Sequence, residues 1–111
     1  KEEDLQALAE ASREFFGGDI TGFAWVATGA FLDASDANAM VTALRAQMLT
    51  NVESLLRFTE IVLEDLKNTK GSVVAVSSVA SEHPTLPMTG GHAYPCAKAA
   101  QNVLVKGLAM D

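Results

Sequence analysis

Cysteine, basic residues, long apolar runs and tyrosine are all scarce in this 111-residue chain, and each shortage removes a class of protein. The one cysteine, Cys96, excludes an internal disulfide, and only His83 and His92 could join it around a metal, so no zinc-ligand pattern exists. Such cysteine usage leads us to expect a reducing, cytoplasmic compartment. Eight Lys and Arg against fourteen Asp and Glu give a net charge of −6, which offers no basic footprint to a phosphate backbone. Nucleic acid is not an expected partner. The longest nearly apolar run, Phe23 to Leu32, is too short to cross a bilayer, and Lys1-Glu2-Glu3-Asp4 has the wrong charge for a secretory signal. No membrane partner is expected either. What is present, 49% hydrophobic and 20% charged residues, is the composition of one globular domain.

Residues 3 to 16 carry Leu5, Leu8, Phe15 and Phe16 at roughly helical spacing, with Asp4 in front and Gly17-Gly18 as a stop. The apolar run Gly22 to Ala27 predicts a strand covered on both faces, as in a parallel sheet. Ser35 or Asp36 can cap a helix through Met40, Val41, Leu44 and Met48 that leads into a second stretch, Val52 to Leu66. Asn68 and Gly71 end that stretch, and Ser72 to Ser77 is a second β-branched strand. Residues 78 to 92 have loop chemistry, with Ser, His, Thr, two prolines and Gly90-Gly91. From Ala93 or Tyr94 a helix runs to the end, with Pro95 in its first turn and Ala97, Ala100, Val103, Leu104 and Leu108 on its buried side. The order α-β-α-β-α predicts an α/β fold with a doubly wound parallel sheet. Two strands alone leave two open edges, so the expectation is an interior piece of a larger domain. Unseen sequence or a complementing chain would supply the rest.

The only tyrosine, Tyr94, is followed four residues later by Lys98. Positions i and i+4 share a helix face, so an ammonium can lie near the phenol and favour its ionised form. Tyr94 could equally be an amphipathic residue at a helix start, since one tyrosine–lysine pair is weak evidence. Ser77-Ser78 closes a strand and Asn51 lies in a helix. Ser78 could be a turn residue, with Ser77 or Ser81 the functional hydroxyl, and Asn51 could be a solvated helix residue. His83 and His92 read as surface or substrate-lid residues, and Cys96 as buried packing.

Taken in order, Asn51, Ser77-Ser78, Tyr94 and Lys98 resemble the catalytic set of the short-chain dehydrogenase/reductase family of the classical kind. The resemblance covers nearly the whole chain. It is most specific from Gly71 to Asp111, where GSVVAVSSVA, AYPCAKAA and VLVKGLAMD are similar to the family's serine strand, its YxxxK motif and the following helix. The 27-residue spacing from Asn51 to Ser78 also matches. The resemblance implies that residues 1 to 111 are the central and catalytic part of one Rossmann domain binding NAD or NADP, and that this segment alone is inactive. It implies that Tyr94 is the acid/base in hydride transfer between nicotinamide and a carbonyl or secondary alcohol. Lys98 would assist it and hold the ribose hydroxyls, Ser78 would bind the substrate oxygen, and Asn51 would kink its helix and hold a relay water. The family's usual Asn-Asn-Ala-Gly is here Val26-Ala27-Thr28-Gly29, which places Ala27, Thr28 and Gly29 beside the cofactor. No G-x-x-x-G-x-G occurs in the chain, so the pyrophosphate site belongs elsewhere. The helices at 36–68 and 94–111 would form the interface of a homo-oligomer. A non-catalytic scaffold using the same fold for assembly is the alternative, and an extended-branch sugar-nucleotide epimerase or dehydratase, which also uses YxxxK, is a third possibility.

Overall fold

Three acids, Glu2, Glu3 and Asp4, fill the first turn of helix α1 (Glu2–Phe16), where the helix dipole favours negative charge. The computed structural model describes residues 2–27, 40–82 and 93–110. After α1 come β1 (Gly22–Trp25), α2 (Met40–Met48), a π-helical turn (Leu49–Glu53), α3 (Ser54–Ile61), α4 (Leu63–Thr69), β2 (Ser72–Ala75), a 3₁₀ turn (Val79–Ser81) and α5 (Ala93–Leu108). The predicted caps Ser35 and Asp36, together with His83 and His92, lie outside the described residues. Among the described residues no helix is long and apolar enough to cross a membrane. Contacts divide the chain into two compact units, 1–26 with 54–76, and 27–53 with 77–111.

In the first unit β1 and β2 pair in parallel, with Gly22 opposite Ser72 and Trp25 opposite Ala75. The alternation of a strand brings Phe23 and Trp25 to one face, where Phe58 of α3 meets both rings, at 4.9 Å edge-on and 6.2 Å tilted. Ile20, Trp25, Leu55, Phe58 and Val62 are buried here. Ala24 and Val74, on the opposite pleat, are exposed. Within this unit Phe58 covers the face carrying Phe23 and Trp25. In α1 the buried residue is Ala9, while Leu8, Phe15 and Phe16 are exposed, so the helix packs on α3 through a methyl group rather than through its large apolar residues. Arg13 makes a fork onto Asp65, with Nε to Oδ2 at 2.8 Å and Nη2 to Oδ1 at 3.0 Å, and the Ile20 N–H donates to the same carboxylate at 2.9 Å. The Arg13 hydrogen bonds and then the Ile20 N–H hold the Asp65 carboxyl below the usual carboxylate range.

Both helix ends preceding the strands are Schellman closures. Gly18 N–H returns to the Arg13 carbonyl at 3.1 Å after Gly17 at φ +73°, and Gly71 N–H returns to the Leu66 carbonyl at 2.8 Å after Lys70 at φ 52°. At the second end the left-handed position thus belongs to a lysine. Glycine is required one residue later, where a Cβ on Gly71 would run into the Thr21 carbonyl oxygen. Lys70→Gly removes the left-handed strain without touching that approach, and should stabilise the protein by up to about 1 kcal/mol, read from the urea midpoint.

The second unit packs α5 against α2, the π-helical turn and the 3₁₀ turn. Its buried α5 residues are Ala93, Pro95, Ala97, Lys98 and Gln101. Val103 is 70% exposed, so the expected apolar side is replaced by a face of alanines with two polar side chains. Cys96, expected to be buried, is exposed, because it stands beside the buried face rather than on it.

Candidate active site

Tyr94 and Lys98 lie one turn apart at the start of α5, and the Lys98 Nζ stands over the Tyr94 ring, 5.7 Å from its centroid. Lys98 is only 2% exposed. Burial pushes its ammonium down from the ordinary lysine range, since desolvation disfavours the charged form. One partner is Gln101, three residues on, whose Oε1 accepts from Nζ at 3.3 Å.

Asn51 is fully buried in the π-helical turn that packs on α5. Its Nδ2 donates to the Gln47 main-chain carbonyl at 3.0 Å and to the Gln47 Oε1 at 2.9 Å. An α-helix would pair that carbonyl with the Asn51 main-chain N–H. The side-chain amide takes its place, which is a recognised way to break the ladder and widen a turn. The reading of Asn51 as a solvated residue is thereby set aside.

Ser78 follows β2 and caps the 3₁₀ turn, its Oγ accepting from the Ala80 N–H at 3.1 Å. That bond uses a lone pair and leaves the hydroxyl proton for another acceptor. Ser81, the rival hydroxyl, donates to the Ser78 carbonyl at 2.8 Å and accepts from Asn102 Nδ2 of α5 at 3.0 Å. It therefore ties the Ser78 turn to the helix carrying Tyr94 and Lys98. Asn102→Ala cuts this tie and should cost about 1 kcal/mol in urea unfolding, with Ser78 main-chain amide exchange accelerating in step. Ala27 is exposed just beyond β1, and Thr28 and Gly29 lie outside the described residues. Tyr94, Lys98 and the Asn51 turn are thus gathered about α5, together with the Ser78 turn. Sequence reasoning missed Gln47, Gln101 and Asn102. The available signal was a polar residue on an alanine face, with Ala93, Ala97 and Gln101 four apart.

A family model for short chain dehydrogenase matches residues 1–111. The chain belongs to the short-chain dehydrogenase family. Among solved structures it is similar to a 7α-hydroxysteroid dehydrogenase complexed with NADH and 7-oxo glycochenodeoxycholic acid, at 22% identity and a TM-score of 0.81, covering 100% of this chain and 42% of that one. It is similar to a short chain dehydrogenase/reductase from Saccharomyces cerevisiae, at 27% identity and a TM-score of 0.76, covering 100% and 42%. An alcohol dehydrogenase from the archaeon Thermococcus sibiricus, complexed with 5-hydroxy-NADP, aligns at 21% identity and a TM-score of 0.73, covering 99% and 45%. No curated protein matches. The chain spans less than half the length of these structures, and its two parallel strands and their helices are part of a Rossmann-type α/β fold.

Proposed function

We propose that residues 1–111 are the central and catalytic portion of an NAD(P)-dependent oxidoreductase acting on a carbonyl or secondary alcohol, with Tyr94 as its acid/base. The observation that carries this reading is the buried Lys98 ammonium held over the Tyr94 ring on one face of α5. The residues suit a nicotinamide dinucleotide by the chemistry of their donor set: a hydroxyl and an ammonium side by side match the diol of a ribose. Tyr94 and Lys98 would hold that ribose, with Ala27, Thr28 and Gly29 beside the cofactor. When bound, the nicotinamide supplies or accepts the hydride.

In the reducing direction Tyr94 gives its phenolic proton to the substrate oxygen as the carbonyl becomes an alcohol; in the oxidising direction it takes that proton back. Lys98 sets a positive charge beside the phenolic oxygen, where negative charge gathers as the proton leaves. Ser78 donates its hydroxyl proton to the same substrate oxygen and so fixes its place. Asn51, anchored through Gln47, holds a water that passes protons between Lys98 and solvent. The substrate is a small carbonyl or alcohol, the natural assembly is a homo-oligomer or a chain carrying the remainder of the domain, and the compartment is cytoplasmic. The test is NADH- or NADPH-dependent reduction of a ketone panel by the full-length protein and by Tyr94→Phe. Turnover present in the full-length protein and lost in the variant supports the reading; unchanged turnover in the variant removes Tyr94 as the acid/base, and no turnover by either protein points to a scaffold that keeps the fold without the chemistry.

A further inference from the structure

Gln101 is fully buried, and its two ends are treated differently. Oε1 accepts from the Lys98 ammonium at 3.3 Å, whereas Nε2, also buried, has no hydrogen-bond partner among the described residues. A buried amide with an unmatched donor is a cost that packing alone does not repay, and an apolar side chain of the same length would fill the space without it. The use that justifies the residue lies at the carbonyl end. We infer that Gln101 is a positioning residue for Lys98, its carboxamide oxygen fixing the ammonium over the Tyr94 ring and keeping it charged at a site that excludes water. This rests on the catalytic reading of Tyr94 and Lys98 given above.

The electrostatics of the site agree. Desolvation is the cause of the downward shift at Lys98. Arg45 on α2, Glu53 in the π-helical turn and Glu82 after the 3₁₀ turn, the charged groups of the elements packed on α5, are all exposed, as is Lys106 on α5 itself. The Gln101 carbonyl dipole, aimed at the ammonium, is one interaction that counters desolvation. The neighbouring pair Gln47 and Asn51 repeats the device, an amide oxygen accepting from a buried N–H group one turn away.

The experiment compares Gln101→Met with Gln101→Glu in the full-length protein. Methionine keeps the length and apolar contacts and removes the acceptor; glutamate keeps the acceptor at the same reach. If Gln101 positions Lys98, the Lys98 Nζ titration followed by side-chain NMR without added cofactor should fall by about one unit in Gln101→Met and rise above wild type in Gln101→Glu. Turnover should drop about tenfold in the methionine variant, with a raised KM for cofactor, and recover in the glutamate variant. If Gln101 only fills space, the order reverses: methionine is benign and buried glutamate is harmful, which overturns the inference. An unchanged Lys98 titration in Gln101→Met overturns it as well. Tyr94→Phe serves as the control in parallel. Loss of turnover there beside an indifferent Gln101→Met refutes this inference alone, whereas full turnover in Tyr94→Phe refutes the catalytic reading and this one with it.

Discussion

Tyr94→Phe should reduce turnover by between about a hundredfold and ten-thousandfold while leaving the thermal unfolding temperature close to that of the wild type. The size follows from what the substitution removes. Phenylalanine keeps the ring, and with it the surface on which the Lys98 ammonium rests 5.7 Å from the centroid, so the packing of α5 is retained. The hydroxyl proton is lost, and the described residues at this face of α5 offer no other group suited to replace it: Lys98 is one turn away with its Nζ bonded to Gln101, and Cys96 is exposed beside the buried face. The loss should fall on kcat more than on the KM of the ketone, because proton transfer is an interaction realised in the transition state. Circular dichroism alongside the assay separates lost chemistry from lost structure. A variant that is folded and as active as the wild type would remove Tyr94 from the chemistry.

Asp65→Ala should cost about 3 kcal/mol of stability. The carboxylate takes both prongs of the Arg13 fork and the Ile20 main-chain N–H, and its side chain is 7% exposed. Without it, the buried Ile20 donor has no acceptor and α1 loses its charged tie to α4. The Arg13 side chain is 34% exposed and can turn to solvent, which keeps the cost below that of breaking a wholly buried pair. The pH dependence has a fixed sign. Since the folded-state pKa of Asp65 is depressed, its contribution is fully present above the ordinary aspartate value of about 4 and is lost as pH falls through the folded value below it. Urea unfolding of the wild type should therefore weaken steeply below about pH 4. Asp65→Asn, already missing the charge, should show a shallower acid slope, and an unchanged slope would remove Asp65 from the account.

Much of this was legible in the sequence because local chemistry carries it. The Gly17 stop, the β-branched run at Ser72 and the helix beginning at Ala93 are each written by residues within a few positions of one another. Tyr94 and Lys98 were readable as a pair for the same reason, the helical repeat bringing i and i+4 to one face. The errors have a common cause. Val103 was read as buried because hydrophobicity reports what gains from leaving water, while it does not say which face a neighbour covers. Cys96 was misplaced by the same logic.

The family, the alternation of strands and helices, and the Tyr94–Lys98 spacing can all be read from residue order and backbone periodicity. That Asp65 receives Arg13 from 52 positions away, that Asn51 widens its own helix into a π-turn, and that Gln101 faces a buried ammonium are visible in the folded chain alone. Those features exist only once helices pack and exclude water. Burial raises the worth of an ordinary amide or carboxylate to a group that can no longer be solvated.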